Sequence, residues 1–287
     1  MFWILYFSIH PIPALIFIFI IGAIVGSFLN VVIYRYPIML QREWNAECLA
    51  QLNQSAAEKT KPFNLCIPRS HCPHCQKIIP WYFNIPLLSY IFLQGKCGFC
   101  RSKISFQYPL VELISAALPL IIFMKFGLTW QTAALIIFTW GLIAESVIDY
   151  FHQFLPDLIT YCLLWLGLLI STQHLFISPT DAIIGAFIGY LFLWTVAKLF
   201  ILVRKKEGMG LGDCKMLAMM GAWVGAMSLL NIVLFSSLLA LLVSLFLMLF
   251  KKMDVSKPIP FGPFIAVAGW CTVIYGNQLM LWITRWL

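Results

Sequence analysis

Residues 216–250 read MLAMMGAWVGAMSLLNIVLFSSLLALLVSLFLMLF, thirty-five consecutive positions without a charged side chain. As one helix this stretch would run about 52 Å at 1.5 Å per residue. That is too long for a single pass through a hydrocarbon core of about 30 Å. Gly221, Trp223 and Gly225 fall where such a helix would break, so the stretch predicts a short helix over 214–224 and a span over 228–250. The rest of the chain has the same character. Of 287 residues, 62% are hydrophobic and 10% charged, against roughly 45–50% and about 25% in soluble domains. So little charge cannot cover so much apolar surface in water, and intrinsic disorder is excluded for the same reason. The chain reads as an all-α, polytopic membrane protein.

Further apolar runs lie at 12–33, 108–124, 131–149, 158–175, 182–203 and 260–284, giving about eight transmembrane helices with that of 214–224. No Lys or Arg precedes Arg35, so the first run lacks the basic flank of a signal peptide and reads as a span. The predicted division is a first helix (1–34), a polar loop (35–107) and a membrane core (108–287). Nine basic residues sit in the 35–107 loop, four in 204–215 and three in 251–257, sixteen of the nineteen in the chain. Eight alternating spans put these loops on one face, which the positive-inside rule makes cytoplasmic. The net charge of +8 is thereby an attraction to anionic membrane lipid rather than to nucleic acid.

Four of the nine cysteines form two knuckles, Cys72-Pro73-His74-Cys75 and Cys97-Gly98-Phe99-Cys100. Four thiolates in this pairing suit a closed, tetrahedral, structural Zn2+ site. A metal staple would stabilise a loop too small and polar to hold much core unaided. His71 and His74 flank the first knuckle as substitute ligands or bystanders.

Ionisable residues in or beside spans are expensive and mark functional sites. Here they are Glu112, Glu145, Asp149, Asp157, Asp181 and Asp213. Asp149, Asp157 and Asp213 fall at the expected cytoplasmic face. A close carboxylate pair cannot ionise twice in a low-dielectric site, so one member serves as general base and the other as general acid. Proton transport through the same carboxylates is the alternative. Asp157 after Pro156, and Asp181 after Thr180, read most simply as N-caps, and Asp213 could cap a helix starting at Cys214. Asp149 ends its span, where a cation would be preferred, and Glu145 lies one turn earlier on the same face.

The glycines of Gly208-Met209-Gly210-Leu211-Gly212-Asp213 follow a span rather than a strand, so they are not a dinucleotide fingerprint. They allow close backbone approach beside Asp213. Pro258-Ile259-Pro260-Phe261-Gly262-Pro263 withholds several backbone donors. It is either a helix start or unpaired backbone able to bind an extended substrate.

These residues resemble the bacterial type IV prepilin peptidases, bifunctional leader peptidase/N-methyltransferases grouped with the GxGD membrane aspartic proteases. The matching stretches run from Gly26-Ser27-Phe28-Leu29-Asn30-Val31-Val32-Ile33-Tyr34-Arg35 through both knuckles, Asp149 to Asp157, Gly210-Leu211-Gly212-Asp213 and Pro258 to Pro263. The resemblance implies that Asp149 and Asp213 are the catalytic pair. It implies cleavage of a short basic leader from type IV prepilins and type II secretion pseudopilins at the cytoplasmic side of the inner membrane. N-methylation of the new terminal residue, usually phenylalanine, would follow with S-adenosylmethionine. Gly95 in the loop is the candidate residue for the methyl-donor site. Asn30 either packs between helices or touches substrate.

Overall fold

The computed structural model describes residues 11–52, 62–205, 209–250 and 259–283, with side chains from 12 to 276. Lys59, Lys61, Lys206, Gly208, Lys251, Lys252, Lys257, Pro258 and Arg285 lie outside the described residues. The chain divides into two compact units, Met1–Leu128 and Thr129–Leu287.

In the first unit, α1 (Pro11–Gln51) is followed by a 3₁₀ turn (Trp81–Asn84), α2 (Leu88–Phe92) and α3 (Gln107–Phe126). The expected span over 12–33 is only the first half of α1, which passes Pro37 and continues to Gln51. Residues 38–51 are mostly good helix formers without a glycine. Forty-one residues make about 61 Å of helix, twice the thickness of the hydrocarbon core. The far half must therefore stand outside it, and 41–48 are exposed accordingly. The membrane half crosses α3 backbone to backbone: a Cβ on Gly26 would lie 2.7 Å from Glu112 Cα, the approach that small residues permit between membrane helices. Asn30 Nδ2 donates to the Tyr108 carbonyl at 3.1 Å, tying the same helices.

Arg35 is 6% exposed. Its guanidinium donates to the carbonyls of Asn64 (3.0 Å), Leu65 (3.3 Å) and Pro68 (2.6 Å), so a buried cation folds the start of the loop against α1. The Asn64 side chain adds a turn, accepting from the N–H groups of Cys66 and Ile67.

The second unit holds α4 (Trp130–His152), α5 (Asp157–Ser171), α6 (Pro179–Arg204), α7 (Leu211–Val224), α8 (Ala226–Leu249) and α9 (Gly262–Ile283). The predicted break falls at Gly225, whose φ of 75° favours glycine. α7 is the centre of this unit, packed by α5, α6, α8 and α9 and buried almost continuously from Cys214 to Trp223. Trp223 fixes its end: the ring lies 4.3 Å from Phe138, and Nε1 donates to the Leu163 carbonyl at 3.0 Å. α8 instead exposes Leu230, Leu234, Leu238, Leu241 and Leu245, a face suited to lipid.

Among the described residues, eight apolar helices answer to the eight expected segments, and five of them are long and apolar enough to cross a membrane. α5, α7 and the described part of α9 are shorter. The protein is a multi-pass membrane protein.

Candidate functional site

Three segments of the second unit meet around Asp149. α4 starts at Thr129, whose side chain accepts from the Thr132 N–H, and ends at Gln153 in the left-handed region. Helical structure runs one turn past the predicted end, so Asp149 lies in the last turn, 5% exposed. A carboxylate at the negative end of a helix needs support from elsewhere. It comes from the head of α9, where the Gly262 N–H donates to Asp149 Oδ2 at 3.0 Å. This is one of the donors a helix start leaves unpaired, and such donors bind anions. A Cβ at Gly262 would stand 2.6 Å from that oxygen, so glycine is what lets the backbone come this close. The Phe261 carbonyl accepts from the N–H groups of Phe264 and Ile265, which makes the proline-rich segment a helix start.

Asp213 comes from the first turn of α7, behind an N-cap at Gly210. It is half-buried and close enough to Asp149 for their charges to act on each other. The buried side chain of Leu155 lies between Gly212 and Gly262 and so joins all three segments. The two carboxylates are inequivalent, because Asp149 faces the negative end of its own helix and Asp213 the positive end of another.

The other acidic residues have structural partners. Asp157 is not an N-cap: Pro156 takes that position, and Asp157 is exposed in the first turn of α5. It pairs with Lys215 Nζ at 2.7 Å, because the two lie on helices that pack together. Asp181 is not an N-cap either. Ser178 is, accepting from the Asp181 N–H and donating to its carboxylate. Asp213 caps nothing, because α7 begins two residues earlier. Glu145 is fully buried and accepts from Thr160 Oγ1 at 2.6 Å, while its Oε2 has no partner among the described residues. Thr160 carries no signal in the sequence because it is uncharged, and Leu155 enters there only within the matching stretch from Asp149 to Asp157.

In the first unit, the sulfurs of Cys72, Cys75, Cys97 and Cys100 all lie within 4.8 Å of one another. Cys72 Sγ and Cys100 Sγ are 3.8 Å apart. Four sulfurs at tetrahedral corners 2.3 Å from a metal would be about 3.8 Å apart, so the set fits a tetrahedral thiolate site. The knuckles repeat one backbone pattern. Cys72 N–H donates to the Lys77 carbonyl and Gln76 N–H to that of Cys72, as Cys97 does to Ser102 and Arg101 to Cys97. The backbone N–H of Cys75 pulls the Cys72 thiol down to about 6, whereas burial and the neighbouring Cys72 and Cys100 push Cys75 up to about 11, as expected where like groups crowd together without a cation between them. His71 binds the Arg69 carbonyl instead, and His74 lies outside the sulfur cluster. Gly95, at φ 68°, stands behind Tyr90: a Cβ there would be 2.9 Å from the phenol oxygen.

Residues 20–126 match the bacterial peptidase A24 N-terminal domain, and residues 136–245 match the type IV leader peptidase family. The chain is 46% identical over 275 residues to a prepilin leader peptidase/N-methyltransferase of Pseudomonas aeruginosa, covering 96% of this chain and 94% of that protein. It is 46% identical over 270 residues to the protein of the same name from Stutzerimonas stutzeri, covering 94% and 93%. The Aeromonas hydrophila protein of that name is 45% identical over 280 residues, covering 96% and 95%. No solved structure matches the chain.

Proposed function

The chain belongs to the type IV leader peptidase family, and from that premise we propose that it removes the short basic leader from type IV prepilins and type II secretion pseudopilins and then methylates the new N-terminal residue, usually phenylalanine. The observation that carries the peptidase half is the buried Asp149 carboxylate, held by the Gly262 N–H and within electrostatic reach of Asp213. Asp149 and Asp213 are the catalytic pair. The ionised member takes a proton from water as the water attacks the scissile carbonyl carbon. The protonated member gives its proton to the carbonyl oxygen, and the pair then passes a proton to the departing amine nitrogen. Leu155 fills the space beside the carboxylates and limits water there, which strengthens their electrostatics.

The hydrolytic residues belong to the 108–287 core. The 35–107 loop, joined to the first helix (1–34), holds a structural Zn2+ on Cys72, Cys75, Cys97 and Cys100. S-adenosylmethionine is the methyl donor and supplies an electrophilic methyl group to the amine that cleavage frees. We place the protein in the bacterial inner membrane with the aspartates and the metal loop toward the cytoplasm, on the weight of the basic residues. A basic leader followed by an apolar helix would bring its cleavage point to that interface.

The test is incubation of the purified full-length protein, in detergent or liposomes, with a prepilin and methyl-labelled S-adenosylmethionine. Wild type should shorten the substrate and label its new N-terminus. Asp149→Asn and Asp213→Asn should each abolish shortening while helical circular dichroism stays unchanged. Full cleavage by either variant would remove that aspartate from the pair.

A further inference from the structure

Residues 81–92 comprise the 3₁₀ turn, α2 and the link between them, and they belong to the loop rather than to any span. Their side chains sort onto two faces. Phe83, Ser89 and Tyr90 turn inward and wall a cavity with residues of α1 and α3. Trp81, Tyr82, Ile85, Leu88, Ile91 and Phe92 are exposed, Trp81 to 79% and Phe92 to 80%. Single exposed apolar residues need no explanation, but a set gathered on one face marks a protein or membrane contact. The far half of α1, in the same unit, exposes Gln41, Arg42, Glu43, Asn45 and Glu47 instead, the composition of a helix in water.

Depth and charge choose lipid as the occupant. The Leu87 N–H donates to Glu112 Oε2 at 2.8 Å. Glu112 lies on α3 five residues past its start at Gln107, about 7.5 Å along the axis. α3 is long and apolar enough to cross a membrane, so α2 starts level with the second turn of a span. Amphipathic segments sink about 5–10 Å into this boundary, and Trp and Tyr rings are enriched there. The charge agrees. Residues 62–111 hold Arg69, Lys77, Lys96, Arg101 and Lys103, all exposed, and no Asp or Glu. Lys96 and Lys103 face each other across an isolated bridge, two like charges that an anion between them would relieve. Anionic headgroups attract such a segment, whereas a basic polypeptide is repelled by it. The face is also firmly built. Trp81 meets Tyr82 edge-on at 5.8 Å, Tyr82 meets Phe83 at 4.7 Å, and Phe83 packs on Phe99 of the second knuckle at 6.0 Å. Gly98 admits that contact, since a Cβ there would stand 2.6 Å from the Phe83 ring.

We infer that residues 81–92 form an interfacial membrane anchor, with the six apolar side chains among the upper acyl chains and Lys96 and Lys103 drawing anionic headgroups. The anchor lays the cysteine loop against the bilayer beside α1 and α3. It does not depend on the catalytic reading above.

The test uses the full-length protein in nanodiscs of phosphatidylethanolamine and phosphatidylglycerol, doped with a lipid that carries a photoactivatable group on its acyl chain near the headgroup. Lipid adducts mapped by mass spectrometry should fall on 81–92 as well as on α1 and α3, and be sparse on 41–48. In Trp81→Asn/Phe92→Asn, adducts on the remaining Ile85, Leu88 and Ile91 should drop about threefold or more, with the metal content of the cysteine cluster showing that the loop is folded. Replacing phosphatidylglycerol by phosphatidylcholine, or Lys96→Gln/Lys103→Gln, should lower them as well. Adducts on α1 and α3 with none on 81–92 overturn the anchor. Yields on 81–92 that ignore both the lipid charge and the lysine substitutions overturn its electrostatic half. Benzoylphenylalanine substituted at Trp81 should capture lipid; capture of a second polypeptide instead would make this face a protein interface and overturn the inference.

Discussion

Gly262→Ala isolates the environment of Asp149 without touching a carboxylate. The added Cβ would stand 2.6 Å from Asp149 Oδ2 and 3.2 Å from Leu155 Cδ2. Ordinary contact begins at 3.4 Å, so the carboxylate must retreat by about 0.8 Å, from 2.6 to 3.4 Å. Its hydrogen bond from the Gly262 N–H, now 3.0 Å, then stretches beyond hydrogen-bond length. A hydrogen bond to a charged group contributes about 1.5–3 kcal/mol, and each 1.36 kcal/mol on a barrier is tenfold in rate. The expected loss is roughly ten- to a hundredfold in kcat/KM for prepilin cleavage. Helix propensity returns at most about 1 kcal/mol against the lost hydrogen bond, so Tm should fall modestly, and activity is compared at a temperature where both proteins stay folded. The assay is steady-state cleavage of a detergent-solubilised prepilin, with Tm measured in parallel. Wild-type kcat/KM in a stably folded Gly262→Ala protein would refute the claim that the α9 start shapes the active carboxylate.

Three further outcomes are expected. Cys72→Ser should lose most of the bound zinc and make the loop sensitive to limited proteolysis; metal content equal to wild type by elemental analysis would contradict the four-cysteine site. Arg35→Ala strands the carbonyls of Asn64, Leu65 and Pro68 and should cost about 2–3 kcal/mol, read as a lower Tm and faster proteolysis after residue 62. Asp157→Asn breaks only an exposed ion pair with Lys215, worth at most about 1 kcal/mol; cleavage should stay within a few-fold of wild type, whereas a loss as large as that of Asp149→Asn would place Asp157 among the catalytic groups.

What sequence reasoning could reach depended on the range of the interaction. The apolar runs and the cysteine spacing are local patterns, and both reappear in the structure with little displacement. The break at Gly225 was legible because thirty-five uncharged residues cannot form one span. The end of α1 was not, because hydropathy falls at Tyr34 whereas helix propensity persists to Gln51. Asp157 looked like a cap because its neighbours suit one; its partner Lys215 is 58 positions away and carries no local mark. Thr160 against Glu145, Leu155 between two glycines, and the burial of Arg35 are likewise products of packing.

α7 has a consequence for how the protein is made. Its fourteen residues span about 21 Å, short of the roughly 30 Å that an independently inserted helix must cover. It also carries Asp213 and Lys215 near its start, costly groups to leave facing lipid. Such a segment cannot settle in the bilayer alone and has to be received by α5, α6, α8 and α9. A nascent chain therefore carries Asp149 early but gains its companion only when the surrounding helices have closed. The proposed catalytic pair is thus a product of completed assembly.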